Sequence, residues 1–380
     1  MKKGIIIGAG IGGLTTAIAL QRRGFEVTVY EKAAGLREAG AGLTLAPNGL
    51  RVLQELGLAE EVYRSGQVLE SALVTDIHMR PFSAIDGRWL STTYGHPLMA
   101  MHRARLQQIL ASHLGKDNIL LNKSIRSYGQ NNNSVIAYFE DGTHYEGDFM
   151  IAADGLRSKI RARLHPGLQL RYAGQTSWRF ITRYALPNTG TAYEIWGNQK
   201  GLRVGYVQVH PDEVYCFITN CQPPGIKSNR QTLRQDLLKL CAAFPPLVHE
   251  LIQSCDEDAI LQTDLFDFQP IKNWADGRVA LLGDAAHATT PNLGQGASQA
   301  LEDAHAIAHA LSTNATIPQA LDAYQKKRIQ KAAYITRRSR QMGQVTNTSG
   351  VIKKLIMQVL SAIPASWSNK QLNKIYRAGS

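Results

Sequence analysis

Residues Gly8-Ala9-Gly10-Ile11-Gly12-Gly13 carry the spacing G-x-G-x-x-G. Glycines so placed permit a tight turn, the close approach of a pyrophosphate, and tight packing of a helix on a strand. The helix that follows offers unpaired N–H groups and a partial positive charge to phosphate. Glu31 lies at the end of the next strand, where a carboxylate can accept both hydroxyls of an adenosine ribose. A dinucleotide site is therefore expected, although this pattern does not separate FAD from NAD.

Two later segments have related chemistry. Ala152 to Arg161, A-A-D-G-L-R-S-K-I-R, follows an apolar strand and contains Asp154-Gly155. Gly283-Asp284-Ala285-Ala286-His287 follows another strand and continues to Pro291, Gly294, Gln295 and Gly296. Asp284 can accept hydrogen bonds from a polyol chain or sit near a pyrophosphate; its alternative is a helix N-cap. Asp154 has a similar alternative in a strand-end turn. Gly294 to Ala297 opens a helix whose N-terminus would favour the negative charge of a reduced flavin. Gln295 caps that helix or approaches a ring. His287 has the chemistry of a general base.

In order and spacing these three motifs resemble those of the flavin-dependent aromatic hydroxylases, a family that includes p-hydroxybenzoate, salicylate, 6-hydroxynicotinate and urate hydroxylases. The resemblance extends over nearly the whole chain. It implies non-covalent FAD, NAD(P)H as a transient reductant without a domain of its own, and molecular oxygen. It also implies a C4a-hydroperoxyflavin whose distal oxygen an electron-rich ring attacks. Carried onto this sequence, it implies cofactor contacts at Gly8, Gly10, Ile11, Gly12, Gly13, Glu31, Lys32, Arg37, Thr44, Arg103, Gln107, Ile125, Asp154, Gly155, Asp284, Pro291, Gly294, Gln295, Gly296 and Ala297. Arg103 matches the family arginine that contacts the flavin, and Gln107 lies one turn on along the same helix face. Asp154-Gly155 with Arg161 resembles the segment tied to both FAD and the pyridine nucleotide. His287 is usually structural in this motif.

Trp178, Phe180, Trp196, Arg203, Tyr206, Tyr215 and Phe217 fall on short aromatic and β-branched runs, and most of the apolar ones read as core. An arginine among aromatics needs a partner, and that singles out Arg203. Its spacing to Tyr215 matches the substrate arginine and tyrosine of the urate hydroxylase branch, so the resemblance implies Arg203 and Tyr215 as the catalytic pair. Arg179, after Trp178, departs from that branch.

These residues need a scaffold. Lys3 to Ile7, Leu14 to Arg23 and Glu26 to Glu31 form a βαβ unit. Arg103 to Leu114 reads as a helix with Leu106, Ile109, Leu110 and His113 on one stripe. Asp141-Gly142 marks a hairpin between Ser134 to Phe139 and Thr143 to Tyr145. Asp148 to Ala153 and Arg278 to Leu282 are buried strands. Between them, runs such as Thr176 to Arg183, Leu202 to Val209 and Val214 to Thr219 suggest an antiparallel sheet. Gly296 to Leu311 and Pro318 to Arg340 are helices. The expected fold is α/β: a doubly wound, Rossmann-like FAD-binding domain with an inserted antiparallel β-sheet substrate domain and C-terminal helices. The FAD-binding domain would comprise 1–70, 98–165 and 276–345, the sheet layer 71–97 and 166–275, and a helical tail 346–380.

Composition bounds the remaining classes. The chain has 380 residues, 44% of them hydrophobic and 19% charged, which excludes a disordered protein and suits two joined domains. The net charge of +12 admits nucleic acid. The basic cluster Lys326, Lys327, Arg328, Lys331, Arg337, Arg338 and Arg340 instead has the spacing of a solvated helix face. No apolar run is long enough to span a membrane. Cys216, Cys221, Cys241 and Cys255 lack the spacing of a metal or redox site and read as reduced packing residues of a cytoplasmic monomer or homodimer. The apolar tail Val351 to Ile363 is expected to pack on the body, with an interfacial membrane helix as the alternative. Within the same fold, epoxidation of an alkene or oxidation of a tetracycline-type drug are rival reactions, and a non-enzymatic flavin-binding protein is a rival class.

Overall fold

In the computed structural model, residues 1–36, 41–363 and 365–377 are described. Lys3–Ile7 is buried from Gly4 onward, as suits a strand covered on both faces. It pairs in parallel with Glu26–Tyr30 on one side and Phe149–Ala152 on the other. The sheet continues in parallel through Val279–Leu281 and Ile119–Leu120, and the short strand Ala275–Asp276 closes one edge antiparallel. Helix Ile11–Gln21 is buried along almost its whole length beneath helix Gly296–Thr313. The expected hairpin forms between Val135–Phe139 and His144–Gly147, and Gly142 turns it at φ 83°. Helix Arg103–Leu114 buries Leu106, Ile109, Leu110 and Leu114, whereas His113 leaves the expected stripe and meets Glu61 at 2.7 Å.

A second sheet has seven strands. Its order is Leu261–Asp267, Arg171–Arg183, Glu213–Asn220, Arg203–His210, Thr191–Trp196, Ser71–Asp76, Pro81–Asp86. The sheet is mixed rather than purely antiparallel: Thr191–Trp196 pairs in parallel with Ser71–Asp76. A long connection between those two strands, carrying much of the first domain, removes the hairpin constraint that would force antiparallel pairing.

Directly opposed residues in a sheet share a face, and neighbours along a strand alternate. Register therefore divides the aromatic residues. Trp178, Phe180 and Tyr206 face outward, into a core closed by helices Leu233–Leu240 and Pro246–Gln253. Arg203 opposes Thr219, Phe217 opposes both Gly205 and Arg179, and Tyr215 opposes Val207. These residues and Trp196 face inward, toward the parallel-sheet domain.

The basic helix runs over Ile317–Thr346. Lys326, Lys327 and Arg337 are exposed as expected, but Arg328 is 3% exposed. Its Nε donates to Asp303 Oδ1 at 2.7 Å and its Nη2 to Gln299 Oε1 at 2.7 Å, while Nη1 pairs with Glu302. Helix spacing placed Arg328 beside other cations; the acidic pair Glu302-Asp303 on the facing helix draws it inward. Helix Gly350–Ser361 does pack on the body, but through a lysine: Lys353 Nζ donates to the Gly197 carbonyl at 2.6 Å. Val351, Ile352, Leu355 and Val359 point outward instead. Among the described residues, no helix is long and apolar enough to cross a membrane.

Candidate active site

The glycine loop is as tight as its spacing requires. Gly8 has φ 105°, and a Cβ there would lie 2.5 Å from the Ala153 carbonyl oxygen. A Cβ at Gly13 would lie 2.0 Å from the Gly8 oxygen, and one at Gly12 would lie 2.7 Å from Leu282. Gly10 differs: a Cβ there meets nothing within 4 Å among the described residues. Three sides of the loop are thus closed by protein, and the side at Gly10 is open, as a pyrophosphate cradle must be. Ile11 opens the helix with its side chain buried.

Glu31 anchors this loop. Its Oε2 accepts the Ala9 N–H at 2.8 Å, and its Oε1 accepts the Ala33 N–H at 2.9 Å. Gln107 grips the loop from the neighbouring helix by donating from Nε2 to the Ala9 carbonyl at 2.6 Å. Its Oε1 is buried with no partner among the described residues. Lys32 is exposed beside Glu31. Arg37 lies outside the described residues. Ile125 turns its side chain into the core opposite Phe139, so only its backbone can serve a cofactor.

The Asp154 and Asp284 segments meet beside this loop. Asp154 Oδ2 accepts the Lys159 N–H at 2.9 Å, and its Oδ1 is buried without a partner among the described residues. Burial pushes this carboxyl above its ordinary range. Gly155 follows at φ 79°. Arg161, 6% exposed, donates from Nη1 to the carbonyls of Asp284 and Ala285 at 3.4 and 3.3 Å, and from Nη2 to that of Leu156. It is a staple between the two motifs, stacked 4.3 Å from the Phe268 ring.

Asp284 is the first residue of the short helix Asp284–His287, whose N-cap is Gly283, so it does not occupy the capping position. Its side chain is exposed, and the protein packed around it raises its carboxyl against the pull of His287, Arg103 and Arg161. Arg103 begins its helix on the same opening, where burial lowers its pKa and Asp284 opposes the shift. His287 is buried behind the motif, with Nε2 2.5 Å from Asp303 Oδ2, so that nitrogen is engaged by the protein.

Pro291–Leu293 forms a short 3₁₀ turn that ends at Gly294, φ 61°. A Cβ on Gly294 would lie 2.7 Å from Thr44 Oγ1, which places strand Gly42–Leu45 against the turn. Gln295 does not cap the helix with its side chain; its Oε1 accepts from Asn48 Nδ2 at 3.2 Å. Gly296 and Ala297 form the first helical turn, half-buried.

The inner sheet face closes over these groups. A Cβ at Gly42 would lie 2.3 Å from the Tyr215 ring, so that ring rests on the strand that carries Thr44. Burial raises the Tyr215 hydroxyl to about 12, against a downward pull from Arg179. It therefore keeps its proton and can donate a hydrogen bond, but it is a poor base. Arg203 is 2% exposed and fully engaged: Nη1 to Glu194 at 3.0 Å, Nη2 to Asn292 at 2.9 Å, Nε to Thr219 at 3.3 Å. It ties the 3₁₀ turn to the sheet through Asn292, so its guanidinium is already held by protein partners.

Asn292, Glu194, Asp303 and Asn48 were not identified from the sequence. The one available signal was Glu302-Asp303, an acidic pair within an alanine-rich helix that begins at Gly296.

FAD fits these residues. The cradle is open where phosphates would lie, the orphaned Gln107 and Asp154 oxygens are unused acceptors, and Arg161 holds the Asp154 and Asp284 segments together beside it. Comparison with known proteins agrees. The family model described as FAD binding domain matches residues 2–196 and 245–339. The chain is 33% identical over 370 residues to the aurachin C monooxygenase/isomerase of Stigmatella aurantiaca, covering 95% of this chain and 96% of that one. It is 31% identical over 352 residues to the FAD-dependent urate hydroxylase of Klebsiella pneumoniae, covering 91% and 90%. The crystal structure of Klebsiella pneumoniae HpxO complexed with FAD and uric acid matches with a TM-score of 0.93 and 28% identity, over 100% of this chain and 97% of that chain. With its three nucleotide motifs gathered around one FAD cradle, this chain belongs to the flavin-dependent aromatic hydroxylase family.

Proposed function

We propose that this chain is a single-component FAD monooxygenase that uses NAD(P)H and molecular oxygen to hydroxylate a small aromatic or heteroaromatic ring. The observation that carries this reading is the Tyr215 ring seated on Gly42, next to the strand residue Thr44 that touches Gly294. A ring bound beneath Tyr215 would lie against the turn that meets the flavin. FAD, held non-covalently by the glycine loop, Glu31, Arg103, Gln107, Asp154 and Asp284, supplies oxygen reduction and oxygen transfer.

The protein binds, orients and excludes water. Tyr215 donates its hydroxyl proton as a hydrogen bond to an oxygen or nitrogen of the ring and stabilises charge that develops there. Phe217 offers an apolar face beside it. Arg203 acts through Asn292, fixing the Pro291–Leu293 turn against the substrate sheet. Gly8 to Gly13 is the one G-x-G-x-x-G segment in the sequence, which fits a reductant that binds transiently. Four unpaired cysteines fit the reducing cytoplasm.

Purified protein should be yellow and release FAD on heating. Screening aromatic compounds by NAD(P)H oxidation should find one that gains a single ring-borne oxygen, identified by product mass and oxygen position. Release of FMN, or a product oxygenated only at an alkene, would overturn the reading.

A further inference from the structure

We infer that helix Gly350–Ser361 seats this enzyme on an anionic membrane surface, its apolar outer stripe entering the lipid and the cations of the C-terminal segment meeting the headgroup phosphates.

The outer stripe has no partner among the described residues. Val351 is 82% exposed, Ile352 64%, Leu355 59% and Val359 57%. Val351, Leu355 and Val359 are spaced by four and share one helix face, and Ile352 lies seven before Val359 at its edge. The opposite face is used by the body. Ile356, Met357 and Leu360 are half-buried, and Lys353 is buried. Its Nζ donates to the carbonyls of Gly197 and Gln199 at 2.6 and 3.1 Å and lies 5.8 Å from the centre of the Trp196 ring. Apolar side chains scattered singly over a surface need no explanation, but four branched ones on one helix face mark a contact.

Charge says what makes that contact. Asp322 is the last acidic residue of the chain. Residues 323–380 hold twelve of the 42 lysines and arginines and none of the 30 acids, so residues 1–322 carry 30 of each sign and are neutral. The whole net charge of +12 therefore belongs to the segment that displays the stripe. Lys326, Arg328, Lys331 and Arg340 pair with acids of the body. Lys354, on the helix itself, and Lys370, Lys374 and Arg377, just beyond it, are exposed.

This combination selects lipid over protein. Protein interfaces gather aromatic residues and arginine and avoid lysine, whereas this face is aliphatic and flanked by lysines. A second copy of the chain would set one acid-free basic segment against another. An anionic bilayer takes both features: aliphatic side chains enter the headgroup boundary, and lysines on flexible stems reach a negative surface potential. At 12 residues the helix is too short to span a bilayer and lies in its plane. Because Lys353 pins it to the loop after Thr191–Trp196, docking sets the rim of the substrate sheet against the membrane.

The test sediments FAD-loaded, full-length protein with sucrose-loaded vesicles of phosphatidylcholine, pure or containing about one-third phosphatidylglycerol. Partition onto the mixed vesicles should exceed that onto the neutral ones roughly tenfold. Raising salt from about 0.1 M to about 1 M, which shortens the screening length from ~10 Å to ~3 Å, should weaken it severalfold. Ile352→Glu with Leu355→Glu should lower it roughly tenfold or more, and Lys354→Gln with Lys370→Gln severalfold. Melting temperature and FAD content should not change, because all four side chains are exposed. Protein that stays in the supernatant with both vesicles overturns the inference. So does binding that survives Ile352→Glu with Leu355→Glu. A dimer in sedimentation velocity that the same two substitutions dissociate also overturns it, and gives the stripe to a second copy.

Discussion

Oδ2 of Asp303 lies 2.5 Å from Nε2 of His287 and 3.0 Å from the backbone nitrogen of Gly283, so one buried carboxylate grips both ends of the Gly283–His287 motif. Burial pushes this carboxyl up, but His287 and Arg328 outweigh burial and hold it at about 2. A depressed folded-state value means that the contribution is present above the unfolded value of about 4 and is lost as pH falls toward 2. Asp303→Asn should destabilise the protein by about 3–5 kcal/mol at neutral pH, since it leaves Arg328 underpaired. Denaturant unfolding between pH 2 and pH 7 should show a flatter acid limb in the variant. A full-strength acid limb would place the titration elsewhere.

Glu31 uses both carboxylate oxygens on backbone N–H groups, one of them in the phosphate loop. The remaining lone pairs of that carboxylate can accept the ribose hydroxyls, and such charge-assisted bonds contribute about 1.5–3 kcal/mol, so Glu31→Ala should weaken FAD binding roughly ten- to a hundredfold. Titration of apoprotein with FAD by fluorescence quenching measures this. Unchanged affinity would reduce Glu31 to a loop anchor.

Asp284 lies one residue past the N-cap Gly283, and its side chain is exposed. Asp284→Asn should therefore give an apoprotein that melts close to the wild-type temperature at pH 7, with FAD occupancy lost. Asp284→Ser should lose FAD nearly as fully as Asp284→Ala. Restoration of flavin by serine would favour a capping role instead.

Arg203 and Tyr215 should separate by kinetics once a substrate is in hand. Arg203→Met breaks the Glu194 pair and the Asn292 tether, so it should lower the melting temperature and raise KM severalfold together. Tyr215→Phe should lower kcat more than it raises KM, with unchanged stability. Because the Tyr215 hydroxyl is held at about 12, the pH–rate profile below pH 9 should not move with Tyr215→Phe. Loss of an ionisation near pH 7 in that variant would show that the tyrosine acts as a base.

Much of the cofactor half was legible in the sequence because its signals are local. Helix Arg103–Leu114 appears with the expected bounds, and the glycine loop sits between the strand and helix that its spacing requires. The inner sheet was only half legible. Period two says that Trp178 and Arg179 point to opposite faces, yet nothing within the strand says which of them meets the site. His113 left its predicted stripe because Glu61, distant in sequence, supplied a better partner.

The sequence alone determined the nucleotide-binding fold, the FAD family and the positions of its three motifs, because glycine sterics, strand patterning and helix starts are decided within a few residues. Tertiary structure decided what the charged side chains do there. Arg203 is tied to Asn292 across 89 residues of chain, Arg328 to Asp303 across 25, and Arg179 to no acid among the described residues. Whether a buried cation is structural or available to a ligand depends on which carboxylates the fold brings within a few ångströms, and that distance is set only when the two sheets close on each other.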